Sequence, residues 1–322
     1  MKTFEQGLPD TGWDVRQFSR DGHMLQGRPW AQFQLALGRK IIWSEGDGWS
    51  WMAIITKGRG VNYLYAPYGP TARSAATLTS ALASLKAAAS ELGVDFVRCE
   101  PVGVPKAAVV KAGLVNVKSD QPETTLVLDL TQDEAELRAA ASSGHRNAIN
   151  GAERRNLEIV FSNDSQIIAT MLQLLHITAG QRGFRPHEDH YYRVMLETLM
   201  PLGAATLGIA THEGKTVAAA IFLDYNGTRA YAHAGADPEA RKLQAAVPLV
   251  WQAALEAKAL NFKRFDLWGV APLDADENHP WAGFTKFKRA FGGDDVSYTG
   301  RWELPIKTTK YQLYRMAKRL LS

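Results

Sequence analysis

The chain repeats one local plan, and that repetition constrains its fold more than any single motif. Tyr63-Leu64-Tyr65-Ala66-Pro67-Tyr68-Gly69-Pro70 runs as a strand into a glycine–proline turn. A helical stretch follows, then Phe96-Val97-Arg98-Cys99-Glu100-Pro101. Further on, Tyr231-Ala232-His233-Ala234-Gly235 leads into another helical stretch and then Phe265-Asp266-Leu267-Trp268-Gly269. Gly69 and Gly235 lie 166 positions apart, Phe96 and Phe265 169 apart. A near-constant offset of strand, turn, long helix and strand points to duplication of one α/β unit. A length of 322 residues suits two ordinary domains. The expected division is a first lobe over 1–142 and a second over 143–304, with a helix over 305–322 packing back on the first.

Local signals fill in this plan. Up to about residue 68, aromatic and polar residues alternate between glycines, which predicts strands joined by tight turns. The alanine-rich stretch 74–92 reads as a helix stopped by Gly93, and 94–98 as the next strand. Thr131, three positions before Glu134, reads as a helix N-cap. Helices are expected over about 165–179, 188–199 and 241–260. Strands are expected over 157–161, 205–210, 217–223, 229–234, 262–268 and 297–303, with a last helix from about 308.

Composition excludes several classes. Hydrophobic residues at 46% and charged residues at 22% describe an ordinary globular chain. The single cysteine, Cys99, excludes an internal disulfide framework and a multi-cysteine zinc site, and points to a reducing compartment. Within its strand it reads as a packed thiol. The first residues lack the apolar core of a signal peptide, and no apolar run approaches the roughly 20 residues a membrane span needs. The expectation is therefore a soluble, cytoplasmic protein. A net charge of +4 suits phosphate-bearing partners. The excess gathers in the tail, at Lys307, Lys310, Arg315, Lys318 and Arg319. That tail reads as a solvated helix face or as a contact for tRNA or for anionic lipid headgroups at the inner face of the plasma membrane.

Familiar catalytic patterns are absent: there is no phosphate loop, no dinucleotide fingerprint, no nucleophile elbow and no metal-spaced histidine pair. His187 and His190, three apart, lack a third ligand, so no metal is expected. The clearest cluster is Phe284-Thr285-Lys286-Phe287-Lys288-Arg289-Ala290-Phe291-Gly292-Gly293. Its three phenylalanines form a stripe at helical period, with Lys288 beside it. That pattern fits a short amphipathic helix with solvated lysines, or one cation held against a buried surface.

Ordered along the chain, several segments resemble the FemX/FemAB peptidoglycan aminoacyltransferases. Gly22-His23-Met24-Leu25-Gln26 with Trp30 resembles the opening segment, Tyr65-Ala66-Pro67-Tyr68-Gly69-Pro70 the turn, and Arg98-Cys99-Glu100-Pro101 the acidic strand end. His145-Arg146-Asn147-Ala148-Ile149, Gln181-Arg182-Gly183-Phe184 and Phe265-Asp266-Leu267-Trp268-Gly269-Val270 follow in family order, then Phe287-Lys288 and Phe291-Gly292-Gly293. The resemblance implies a mixed α/β (α+β) chain of two tandem acetyltransferase-like (GNAT) lobes, each a mixed central sheet flanked by helices. It implies an aminoacyltransferase of cell-wall biosynthesis, active as a monomer without a cofactor. The donor would be aminoacyl-tRNA, and the acceptor the stem-peptide amine of UDP-MurNAc-pentapeptide or lipid II.

Residue roles carry over on the same terms. Lys288 matches a lysine that stabilises the oxyanion of the tetrahedral intermediate. Arg182 matches a diphosphate ligand. Glu100, where the family has aspartate, is assigned either to orienting or deprotonating the attacking amine or to a structural strand end. Tyr68, Tyr231, His233, Gln34 and Phe287 fall on the substrate-binding side. Two of these positions depart from the pattern. Gln34 replaces a diphosphate-binding lysine, for which Arg39 or Lys40 would have to substitute. His233 replaces a second tyrosine, and at strand spacing it is expected to share a face with Tyr231. The competing readings are a coenzyme-A-dependent N-acyltransferase, disfavoured because residues 238–246 hold no glycine to approach a pyrophosphate, and a non-catalytic RNA- or precursor-binding protein.

Overall fold

Each half of the chain builds a mixed sheet around one parallel pair of strands. The structure, a computed structural model, describes residues 3–58, 60–162, 164, 167–276 and 278–320. One unit comprises the chain up to Glu123 together with the residues from Tyr298 on, and the other runs from Thr124 to Ser297.

In the first unit the chain forms β1 (Glu5–Gln6), α1 (Trp13–Phe18), α2 (Arg28–Ala36), β2 (Lys40–Gly46), β3 (Trp49–Lys57), β4 (Asn62–Ala66) and β5 (Thr71–Ala72). It continues through α3 (Ala75–Glu91), β6 (Phe96–Cys99), α4 (Lys106–Lys111) and β7 (Val115–Val117). The second unit holds β8 (Thr124–Asp129), α5 (Glu134–Ala140), α6 (Ser143–Asn150), β9 (Leu157–Ser162), α7 (Ile168–Arg182), α8 (Asp189–Leu199) and β10 (Ala205–His212). It ends with β11 (Lys215–Tyr225), β12 (Thr228–Ala236), α9 (Ala246–Ala259), β13 (Arg264–Gly269), α10 (Ala282–Arg289) and β14 (Asp294–Ser297). The chain then returns to the first unit as β15 (Arg301–Pro305) and α11 (Thr308–Leu320).

The first sheet runs β1-β2-β3-β4-β6-β15-β7, with β5 on β3; the second runs β14-β8-β13-β12-β11-β10-β9. In each, one neighbour pair is parallel: β4 with β6, and β12 with β13. A parallel pair needs a long crossover, and α3 and α9 supply it. Tyr63 pairs with Phe96, and Arg229 with Phe265. Arg229 follows Tyr63 by 166 positions and Phe265 follows Phe96 by 169, the same offsets that the sequence echo shows. The fold is thus two mixed sheets flanked by helices, as the resemblance implies.

The crossover helices are held by ordinary means. Ser74 caps α3 through a capping box with Thr77, and Leu78, Ala81, Leu82, Leu85 and Ala88 recur at helical spacing. That stripe packs on Trp51, Ala53, Leu64, Val97 and Cys99. Cys99 is fully buried, and burial pushes its thiol up. In the second unit α9 buries Val250, Trp251, Ala253 and Ala257 against Phe222 and Phe265.

Several boundaries differ from the sequence reading. β8 pairs with β13 and β14, which draws the chain from Thr124 on into the second unit rather than from residue 143. The segment expected as one strand over 297–303 is two, because Gly300 turns at φ +83° between β14 and β15, and these pair in different sheets. Asp133, not Thr131, caps α5. The helix expected over 241–260 starts with a 3-10 turn, and α9 proper begins at Ala246. For the helix expected from 165, Ser165 and Gln166 lie outside the described residues, and α7 starts at Ile168.

The tail helix is anchored to the first sheet. Tyr311 and Tyr314 pack on Phe96. The buried Glu303 pairs with Arg98 at 2.6 Å and accepts from Tyr311 Oη at 2.7 Å. Lys310 and Lys307 close on the buried Asp95 at 2.9 and 3.4 Å. Much of the basic tail therefore has partners within its own unit. Among the described residues, no helix is long and apolar enough to cross a membrane.

Candidate functional site

The phenylalanine stripe does form a helix. In α10, Phe291 just past the last turn is buried, Phe287 is partly buried, and Phe284 lies at the edge, 38% exposed. The turn that ends the helix admits only glycine. Gly292 and Gly293 have φ of +86° and +89°. A Cβ on Gly293 would stand 2.6 Å from the Val127 carbonyl oxygen, and one on Gly292 2.8 Å from Ala140 Cβ. This part of the motif is architectural: it seats α10 against β8 and α5.

That seating buries Lys288. The residue is 8% exposed, and Nζ donates to the Gly269 carbonyl at 2.8 Å and lies 5.0 Å from the centre of the Phe284 ring. Among the described residues, Nζ has no other hydrogen-bond partner, so two of its three donors are uncommitted. Burial lowers its pKa to about 8, and the Asp266 carboxylate opposes that fall. Asp266 is itself buried, and burial raises its pKa to about 6. Here β13 leaves regular pairing: Asp266 stands opposite Val127 and Gly269 opposite Thr125, so Leu267 and Trp268 share one partner position. Trp268 takes the left-handed φ of +64°, and its amide donates to Asp266 Oδ1 at 2.7 Å.

Arg182 ends α7 next to the same helix, since a Cβ placed on Gly283 would stand 3.3 Å from its Nη1. It is exposed and, among the described residues, has no acidic or hydrogen-bond partner. Gly283 and Lys288 are five residues apart on α10, about 7.5 Å along the axis. The structure thus brings Lys288, Arg182 and Phe287 together around one helix. His145 joins them: its Nε2 bonds the Phe287 carbonyl at 3.1 Å, and its ring packs edge-on against Phe291.

Tyr231 and His233 separate. β11 and β12 are out of step by one residue at this point, with Phe222 opposite Tyr231 and Ile221 opposite His233. Ala232 is the extra residue of this bulge, and neighbours on β11 point to opposite faces. Tyr231 therefore packs with Phe222 on the α9 side. His233 meets the buried Tyr192 of α8 edge-on at 5.0 Å. The expectation of a shared face is corrected by that single inserted residue. Burial brings the His233 ring down to about 4, and His187 pushes in the same direction. On the His233 side the strand lies tight on α7, where a Cβ on Gly235 would stand 2.3 Å from the Leu174 backbone carbon.

In the first unit, Glu100 sits in a buried cage. It accepts from Arg301 Nε at 3.1 Å, from the Tyr68 amide at 3.1 Å and from Tyr65 Oη at 3.4 Å. Burial raises its pKa, and Arg301 offsets part of the rise. Tyr68 holds a left-handed φ of +45°, donates its hydroxyl to the Pro122 carbonyl at 2.9 Å and stacks on His23 at 3.9 Å. Gln26 clamps the turn: its amide donates to the Pro67 and Met52 carbonyls and accepts from the Met52 amide. Gln34 is fully buried, with Arg39 donating to its Oε1 at 2.6 Å, so it presents no surface to a ligand. Sequence reasoning missed Arg301, which lies 201 positions from the carboxylate it holds, and gave Asp266 no role. No spacing rule connects Arg301 to Glu100; only the return of β15 to the first sheet does.

No group of three or more His, Cys, Asp or Glu side chains suited to a metal occurs among the described residues. His187 stacks on Tyr191.

The FemAB family model matches residues 202–319. No curated protein matches the chain. Among solved structures, the crystal structure of FemX aligns with a TM-score of 0.82 at 16% identity, over 96% of this chain and 99% of that one. L-PGS from Bacillus licheniformis aligns at 0.60 and 14% identity, over 96% and 97%. A tandem GNAT protein from the clavulanic acid pathway aligns at 0.52 and 12% identity, over 94% and 98%. The family match over 202–319 contains α9, β13, α10 and the Gly292-Gly293 turn, and the alignment with FemX shows that the chain has a FemX-like fold.

Proposed function

We propose that the chain is a peptidoglycan-related aminoacyltransferase, with Lys288 as the group that stabilises the oxyanion of acyl transfer. The observation that carries this reading is the buried ammonium: Nζ of Lys288 has one carbonyl partner and two uncommitted donors. Holding a charge there costs stability, which is reasonable where negative charge develops during a reaction. An acyl ester attacked by an amine passes through a tetrahedral oxyanion, and a fixed cation lowers that barrier.

In this reading the donor is aminoacyl-tRNA and the acceptor a stem-peptide amine on UDP-MurNAc-pentapeptide or lipid II. Arg182, exposed and unpaired among the described residues, is proposed to meet phosphate. Glu100 is proposed as a structural carboxylate, because Arg301, Tyr65 and the Tyr68 amide already occupy its oxygens. Against coenzyme A as donor, the segment before α9 carries Asp237, bonded to the Glu239 amide and to Lys215, where a pyrophosphate would meet negative charge. The test incubates purified protein with charged tRNA and each acceptor, and follows acceptor mass. Addition of one aminoacyl residue supports the proposal; transfer from acetyl-coenzyme A instead would replace it.

A further inference from the structure

We propose that Asp266 is the positioning residue of Lys288, fixing through the Trp268 turn the carbonyl to which the lysine donates. The inference rests on the transferase reading for its consequence, though its geometry stands apart from it. The residues form a closed chain of contacts. Asp266 Oδ1 accepts from the Trp268 amide at 2.7 Å. Trp268 is held at φ +64°, which a bulky residue adopts only when something fixes it there. The next residue, Gly269, turns its carbonyl to Lys288 Nζ at 2.8 Å.

Thr125, opposite Gly269 on β8, is buried, as are Asp266 and Lys288, while Trp268 is partly buried. A buried carboxylate beside a buried ammonium serves two ends at once. It shapes the turn, and it offsets part of the cost of keeping the lysine charged. The other charged groups nearby have partners of their own. Arg264 Nε donates to Thr228 at 2.9 Å, and Arg289 is bound to Asp295 at 2.7 Å and to the Ala271 carbonyl at 3.0 Å. Lys286, also on α10, is exposed. Asp266 is the acid whose charge acts on Lys288.

The experiment follows the lysine itself as well as turnover. In protein labelled with 13C at lysine Cε, the Lys288 resonance is identified by its loss in Lys288→Arg and titrated in wild type and in Asp266→Asn. The expected result is a midpoint lower by at least half a pH unit in Asp266→Asn. With it, transfer should fall at least about twofold at pH 8 yet recover most of that loss at pH 6.5. An unchanged midpoint, or a loss of equal factor at every pH, overturns the proposal and leaves Asp266 a structural residue. If Asp266→Asn does not fold, the reciprocal measurement decides. The Asp266 carboxyl carbon, titrated in Lys288→Met, should move upward, and no movement refutes the coupling. Because the resonances report without substrate, failure of the transferase reading shows separately, as wild-type protein that transfers nothing while the coupling persists.

Discussion

Lys288 Nζ reaches the Gly269 carbonyl at 2.8 Å from a helix that is followed by the glycine pair at 292 and 293, of which Gly293 lies close against β8. The ammonium is buried because the backbone can approach that closely. Gly293→Ala is expected to destabilise the protein by about 2–4 kcal/mol, combining left-handed strain with a backbone clash. Chemical denaturation checks this, and a loss under about 0.5 kcal/mol would show that the helix can shift without cost.

Lys288 also sets a pH window. Its folded value of about 8 lies below the ordinary 10.5, so the lysine destabilises the fold at neutral pH, and that cost fades as pH rises from 8 to 10.5. Lys288→Met should therefore leave Tm unchanged or higher while lowering kcat by about 10²–10³-fold, with KM within about threefold. The basic limb of the wild-type profile should fall near pH 8 and move upward in Lys288→Arg. A limb at the same pH in both proteins would assign it to another group.

Glu100 and Arg301 form a buried pair, and breaking one side strands the other charge. Glu100→Ala is expected to cost about 3–5 kcal/mol, and adding Arg301→Met should recover more than half of it. The double-mutant cycle by urea denaturation measures the coupling. Additive losses would show that the two side chains act independently, and Glu100 would lose its structural role.

His233 is held near pKa 4 by burial, below its ordinary 6.5. The unfolded chain binds the extra proton between those values, so stability contributed by the neutral ring is present above pH 6.5 and lost as pH falls towards 4. His233→Gln should flatten the decline over that window by at most about 3 kcal/mol, the full value of the shift. A stability profile with the same slope in both proteins would show that the ring titrates freely.

Much of the fold was legible in sequence, for physical reasons that also mark its limits. The echo of Tyr63–Phe96 in Arg229–Phe265 is visible because a parallel pair and its crossover helix have a nearly fixed length. The α10 stripe is visible because helical period marks a buried face. What escapes is set by long-range pairing. One inserted residue, Ala232, sends Tyr231 and His233 to opposite faces, and nothing local announces a bulge. The ends of the units are hidden for the same reason, since β8 and β15 are assigned by their ladder partners rather than by composition. Gln34 shows the third limit: the resemblance puts it on the substrate-binding side, yet its side chain is fully enclosed.

Acyl transfer assisted by Lys288 is tested most directly by acceptor mass in a reaction holding charged tRNA, UDP-MurNAc-pentapeptide or lipid II, and either wild-type or Lys288→Met protein. Wild type is expected to add one aminoacyl residue, and the variant to add it at least about a hundredfold more slowly. Absence of product from wild type with every donor and acceptor pair, or equal rates in the two proteins, would contradict that role.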